Sequence, residues 1–221
     1  MILSRVDILR RLFDDIVCET FFETRYPRTN PNVISVTEIT QCPRYSWFMR
    51  REPRCIIQAV DLILGVEGHR LFLDKLRNYG YVVEWLVCKD IGDGIKICGR
   101  LDAYHPDLNE VIDIKITTSP PDEPYEDHRF QVSIYMHMVK ASRGYVVYLS
   151  RDPHNRVKVF RVKKYDSDWK EAVQRAKMLR DALIKEEPPP CIKGRWCRYC
   201  PYSFECMKIE GKAKKSKKLA T

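Results

Sequence analysis

A chain of 221 residues, 44% hydrophobic and 31% charged, can bury one substantial core, or one core plus a small module. No stretch approaches the ~20 apolar residues a membrane span needs. Met1-Ile2-Leu3-Ser4-Arg5 leads into an amphipathic pattern instead of a signal peptide, so the expectation is a cytoplasmic protein with no membrane partner.

In chain order, Ser4-Arg5-Val6-Asp7 has the form of a capping box and opens a helix with Val6, Leu9, Phe13, Ile16 and Val17 near one face. Ser35-Val36-Thr37-Glu38 repeats that signature and leads into a short helical stretch delivering Cys42. Helices follow over 58–64 and 67–78. The period then changes: 81–88, 95–104 and 111–116 are β-rich, separated by Gly92-Asp93-Gly94 and Pro106-Asp107-Leu108-Asn109. Three antiparallel strands with short turns are the economical reading. Helix returns over 130–141, and strands are predicted over 144–150 and 157–163. Ser167-Asp168 caps a further helix with Trp169, Val173, Ala176 and Leu183 along one stripe, ended by Pro188-Pro189-Pro190. This order describes an α/β fold, a mixed sheet with helices packed against it. There is no internal repeat.

The net charge of +9 is unevenly placed. Beyond Cys206, six lysines face Glu210 alone, a net +5 that leaves only +4 for the first 206 residues. Such a tail reads either as a solvated, disordered end or as an arm for a polyanion.

Nine cysteines in a cytosolic setting favour metal ligation over disulfides, and their odd number rules out complete pairing within one chain. Cys197, Cys200 and Cys206 have C-x2-C-x5-C spacing, which one regular helix or strand cannot converge, so they read as a loop wrapped around a soft metal. Cys42, beside Pro43, is the remote fourth ligand in this reading and ties the start of the fold to its end. Cys191 competes for that place. Cys18, Cys55, Cys88 and Cys98 read as small buried apolar residues.

Between those anchors lies the pattern that carries chemistry. Pairing the second and third strands symmetrically about the Asp107-Leu108 turn sets Asp102 directly opposite Asp113, with Cβ atoms about 5 Å apart. Two carboxylates so close repel unless a cation lies between them. Lys115 projects from the same strand face as Asp113, while Ile112, Ile114 and Ile116 take the other. A charged face on an otherwise greasy strand is either an ordinary solvent-facing ladder or a site. His69 precedes this hairpin on a helix; Gln131 and Tyr135 follow it at i and i+4 on one helix face.

The ordered set Gly65-x-x-x-His69, Gly99-x-x-Asp102, Asp113-Ile114-Lys115 and Gln131-x-x-x-Tyr135 resembles the PD-(D/E)xK nuclease superfamily. Bracketed by Cys42-Pro43 and the cysteine cluster, it resembles more closely the RecB-like iron–sulfur exonucleases encoded with CRISPR systems. The resemblance covers roughly residues 30–206 and implies a restriction-endonuclease-like fold. It divides the chain into an N-terminal helical segment supplying one cluster cysteine (1–55), a nuclease core (56–187), an iron–sulfur module (188–206) and a basic disordered tail (207–221). His69, Asp102, Asp113 and the Ile114 carbonyl would hold Mg²⁺ or Mn²⁺. Lys115 would act on the attacking water and the phosphate, and Gln131 and Tyr135 would position substrate or support the site. Cys42, Cys197, Cys200 and Cys206 would hold an iron–sulfur cluster, 4Fe–4S ahead of 2Fe–2S.

The implied function is metal-dependent exonuclease action on single-stranded DNA, 5′ to 3′, preparing ends for CRISPR spacer acquisition beside the adaptation integrase proteins. Homo-oligomerisation is left open. The alternatives are a non-catalytic iron–sulfur DNA-binding adaptor and a zinc-stabilised structure-specific DNA endonuclease.

Overall fold

The computed structural model describes residues 5–23, 29–55, 59–151 and 157–219. Helix α1 (Arg5–Glu23) leads to strand β1 (Val33–Ser35) and helices α2 (Val36–Thr40), α3 (Pro43–Arg51) and α4 (Ala59–Leu76). Strands β2 (Val82–Asp90), β3 (Lys96–His105) and β4 (Glu110–Thr117) follow, then α5 (Glu126–Met138), β5 (Arg143–Ser150), β6 (Val157–Val162), α6 (Asp166–Lys185) and α7 (Ser203–Leu219).

The six strands form one mixed sheet organised around β3. Along one edge β3 pairs with β2, antiparallel. Along the other it meets two strands in succession: β1 lies parallel against Lys96, Ile97 and Cys98, and β4 lies antiparallel against Ala103, Tyr104 and His105. The sheet therefore forks, and from Gly99 to Asp102 that edge of β3 has no strand partner among the described residues. Parallel pairing of β4 with β5 and antiparallel pairing of β5 with β6 complete the order.

Helices cover both faces. The larger core joins Ile34, Val36 and Ile39 to Ile97, Leu101, Val132, Tyr148 and Leu179 under α2, α3, α5 and α6. A smaller one joins Leu73 of α4 to Val83, Ala103 and Ile114 on the opposite side. Burying each such aliphatic side chain contributes roughly 1.5–3 kcal/mol. Leu101 and Ala103 belong to different layers, so the inward residues of β3 change sides across Asp102. Glu84, which the β2–β3 register sets opposite Asp102, has φ 50°.

The capping box at Ser35 is present: Glu38 N–H donates to Ser35 Oγ at 3.2 Å, and Ser35 N–H donates to Glu38 Oε2 at 2.9 Å. The box expected at Ser4 lies outside the described residues. The two helices expected over 58–64 and 67–78 form one, α4, from Ala59; Gln58 is not described. Its two glycines cost about 1 kcal/mol each, less than its packing against the sheet returns. The amphipathic stripe of α1 exists, yet Leu9, Phe13 and Ile16 are exposed while Phe21 is buried.

Helix α5 starts four residues before the expected Phe130, and α6 starts at Asp166 with Tyr165 as its N-cap, so Ser167 and Asp168 lie inside it. The lysine-rich end expected as a disordered tail from 207 is helical through Leu219, consistent with the good helix propensity of lysine. Cys18 and Cys55 form a disulfide, as do Cys88 and Cys98. None of the four is buried, which corrects their reading as small core residues. Cys88 lies directly across the β2–β3 ladder from Cys98, with Cα atoms 4.1 Å apart. Among the described residues no helix is long and apolar enough to cross a membrane.

Candidate active site

The β3–β4 register equals the one expected from the turn, with Ala103 opposite Ile112 and His105 opposite Glu110. Continued one step it would pair Asp102 with Asp113, but the ladder stops short of them. The reason is chemical: Asp102 Oδ2 accepts the Ile114 N–H at 2.7 Å, so a side chain takes the place of a strand partner. Further along the fork, the Tyr135 hydroxyl donates to the Arg100 carbonyl at 2.9 Å. Two side chains thus satisfy backbone where the sheet opens, and unpaired buried backbone would be costly.

His69 Nε2 lies 2.8 Å from the same Asp102 Oδ2. Gly68 explains how α4 comes so near, because a Cβ there would sit 2.8 Å from Ile116 Cδ1. Gly65, the glycine of the expected G-x-x-x-H, has open space where a Cβ would stand, with no atom within 4 Å, so of the two glycines it is Gly68 that lies against the sheet. On the α5 side Gly99 plays the same part: a Cβ there would meet Tyr135 Oη at 2.7 Å.

Lys115 Nζ donates to Gln131 Oε1 at 3.0 Å and to Asp113 Oδ1 at 3.3 Å, with Asp113 Oδ2 at 3.0 Å. Asp113 is 1% exposed, and its Oδ2 is buried without a hydrogen bond. Burial pushes the Asp113 carboxyl up to about 7; Lys115 opposes that shift and Asp102 adds to it. Burial disfavours the Lys115 ammonium, but Asp113 and Asp102 outweigh it and hold its pKa above the ordinary value. His69 is likewise raised: burial works against its charge, and the bond to Asp102 prevails. His69, Asp102, Asp113, Ile114, Lys115, Gln131 and Tyr135 are all brought together at the fork. Ile114 enters through its N–H.

The donors suit a hard divalent cation by chemistry, being two carboxylates and an imidazole, with the buried Asp113 Oδ2 facing the Lys115 ammonium at 3.0 Å but making no aligned hydrogen bond. Among the described residues, however, no three His, Cys, Asp or Glu side chains are arranged as a ready metal site. His69 and Asp102 bond to each other instead.

The second expected site also assembles from distant segments. Cys42, the N-cap of α3, has its sulfur 3.9 Å from that of Cys191. Burial, with the Cys42 and Cys206 thiols beside it, pushes the Cys191 thiol up to about 12. Cys200 is raised by burial as well, with Cys42, Cys197 and Cys206 contributing. Five sulfurs therefore share one neighbourhood, and their softness suits iron–sulfur or zinc, though they too form no ready metal site among the described residues.

Arg44, which no motif singles out in the sequence, is buried there; it donates to Cys206 Sγ at 3.2 Å, Glu210 Oε1 at 2.7 Å and the Pro189 carbonyl at 2.8 Å. Its position in Cys42-Pro43-Arg44 is the one signal that could have found it. Buried Tyr202 stacks on Phe48 with centroids 4.9 Å apart, and its hydroxyl donates to the Glu52 carbonyl. Cys42 is thus not the sole link between the N-terminal segment and the C-terminal module.

The chain matches the family model of the PD-(D/E)XK nuclease superfamily over residues 5–207. It is 28% identical to the CRISPR-associated exonuclease Cas4 of Saccharolobus solfataricus over 189 residues, 79% of this chain and 87% of that protein. The crystal structure of SSO0001 superimposes with a TM-score of 0.70 at 25% identity, covering 88% of this chain and 96% of that one. The alkaline exonuclease of Laribacter hongkongensis shares the fold with a TM-score of 0.50 at 14% identity, covering 76% and 93%. A forked sheet carrying Asp102, Asp113 and Lys115, within a match that spans nearly the whole chain, places this protein in the PD-(D/E)XK nuclease superfamily, and the enzyme is a nuclease.

Proposed function

We propose that this protein is a divalent-metal-dependent DNA exonuclease that degrades single-stranded DNA from 5′ to 3′ and prepares ends for CRISPR spacer acquisition beside adaptation integrase proteins. The observation that carries the reading is the Asp102–Asp113–Lys115 group at the fork, with His69 entering from one layer and Gln131 from the other. The likeness to a CRISPR-associated exonuclease supports the biological setting.

His69, Asp102 and Asp113, with the Ile114 carbonyl, would hold Mg²⁺ or Mn²⁺, which when bound supplies charge neutralisation at phosphorus and an acidified water. The chain's own groups do the rest. Lys115, kept an ammonium by its two carboxylate neighbours and oriented by Gln131, donates to developing negative charge on the phosphate rather than accepting a proton. Asp113, whose carboxyl burial holds well above its ordinary range in the metal-free protein, would be kept ionised as a ligand once the cation binds. Tyr135 holds the Arg100 carbonyl and so keeps the fork open beside Asp102.

Cys42, Cys197, Cys200 and Cys206 would carry an iron–sulfur cluster, with Arg44 stabilising thiolate charge at Cys206. Single-stranded oligonucleotides labelled at the 5′ or 3′ end, digested with Mn²⁺ or Mg²⁺, test the reading. Stepwise shortening from the 5′ end is expected. Internal cuts alone, or no cleavage with either metal, would overturn it.

A further inference from the structure

Beside the fork, the loop that carries the C-terminal cysteines presents aromatic rings to solvent between arginines. Trp196 is 51% exposed and Tyr199 36%, with centroids 6.5 Å apart. Arg195 lies over Tyr125 at 3.5 Å and over Trp196 at 4.7 Å, and Arg198 lies over Tyr199 at 4.6 Å. The arginines leave about half of Trp196 and a third of Tyr199 open to solvent, and nothing in the cysteine chemistry requires rings at these positions.

Hydrogen bonds tie their position to the active site. Arg195 donates to both carboxylate oxygens of Asp127 at 2.9 Å, and Trp196 Nε1 donates to Asp127 Oδ2 at 3.2 Å. Asp127 precedes Gln131 by four residues on α5, just over one helical turn and a rise of about 6 Å. Gln131 in turn holds Lys115 at 3.0 Å. Asp127 thus indexes the ring pair to the lysine through one continuous helix. Its charge is absorbed by Arg195, while Arg198 and Lys193 leave the outer face of the loop basic.

We infer that Trp196 and Tyr199 form a stacking platform for unpaired bases of single-stranded DNA, one or two nucleotides from the phosphate that Lys115 addresses. Flat exposed rings beside cations suit unpaired bases, because every base offers a π-face and the backbone a negative charge; a duplex, with its bases already stacked, offers neither ring access nor gain. The inference rests on the nuclease reading for the nature of the polymer and adds where, and by which groups, the single strand is held.

The test is binding in EDTA, where no cleavage is read, using fluorescently labelled oligo(dT) and a blunt duplex of equal length. Trp196→Ala should weaken oligo(dT) binding about tenfold or more. Trp196→Phe should restore most of it, Tyr199→Ala should weaken it less, and duplex binding should not change. A single abasic nucleotide walked along the oligonucleotide should weaken binding by the wild-type protein at one or two adjacent positions and have no further effect in Trp196→Ala. This abasic scan needs only the wild-type protein, so it decides the matter even if the Trp196 variants do not fold beside Cys197. Equal loss on single strand and duplex, full binding by Trp196→Ala, or a flat abasic profile would each overturn the platform. A protein that shows the abasic profile yet never cuts DNA would instead sink the nuclease reading and leave the platform standing.

Discussion

The hairpin fork and the cysteine cluster are held together by different means. At the fork every charged group is restrained by another group of the chain: His69 and the Ile114 N–H share one oxygen of Asp102, and Lys115 bridges Asp113 and Gln131. Around the cysteines one arginine, Arg44, and backbone N–H groups such as that of Gly194 reach the sulfurs, while the surrounding scaffold of Tyr202, Phe48 and the Arg44–Glu210 ion pair does the joining. The first site is built by the sheet. The second is a set of donors delivered by a scaffold that would stand without them. Damage to the fork should therefore abolish activity with little effect on the fold, and damage to the cysteines should change spectrum and stability by amounts the scaffold limits.

The largest effect is expected at the fork. Asp113→Asn or Asp102→Asn should lower the cleavage rate by roughly a thousandfold or more, with unchanged circular dichroism. Rates within tenfold of wild type in both would break the assignment of the fork as the reacting centre.

Next comes Cys42→Ser. Loss of iron–sulfur absorbance in an anaerobic preparation is expected, with a melting temperature lower by several degrees because metal ligation is coupled to folding. Tyr202 and Arg44 should keep the protein folded. Cys191→Ser should leave the colour. If Cys191→Ser bleaches the protein and Cys42→Ser does not, the close approach of the two sulfurs assigns Cys191 as the fourth ligand.

Asp113 also makes a smaller, pH-dependent difference. Its folded pKa of about 7 lies above its ordinary 3.8, so between these values the folded state binds the extra proton. Stability in EDTA should then fall as pH rises from about 4 to 7, by at most a few kcal/mol at ~1.4 kcal/mol per unit. Asp113→Asn should flatten that slope in denaturant titrations. An unchanged slope would mean the carboxyl is better solvated than its 1% exposure indicates.

The smallest effect concerns the lysines at the end of α7. Truncation after Gly211 removes five lysines but keeps Glu210 for Arg44. The salt dependence of single-stranded DNA binding should flatten by about 0.7 for each phosphate the protein no longer neutralises. An unaltered slope would make that end a solvated helix.

How much of this is legible in the sequence follows from how local each signal is. The strand register is readable because side chains alternate and the turn at Asp107-Leu108 fixes the pairing; that same arithmetic puts Asp102 and Asp113 together. The stop in the ladder is not readable, since it depends on a side chain from β3 reaching the β4 backbone at Ile114. Strand β1 is three residues long and pairs with a strand some sixty residues away, so no periodicity marks it. Helix α4 reads as two helices divided at Gly65-Val66, because propensity alone cannot show that packing carries one helix through that glycine. The disulfides leave no spacing signature, their partners lying 37 and 10 residues apart. Cys191 is a rival ligand by its place in the chain, but only the fold shows it beside Cys42.

Lys115, held as an ammonium by Asp113, Asp102 and Gln131, is proposed to work on the reacting phosphate. Single-turnover cleavage of end-labelled single-stranded DNA with Mn²⁺, measured beside equilibrium binding for wild type and Lys115→Ala, tests it most directly. A rate lower by at least about a hundredfold is expected, with the dissociation constant changed less than about threefold, since the contribution belongs to the transition state. A loss of affinity matching the loss of rate would contradict it and make Lys115 an ordinary phosphate contact.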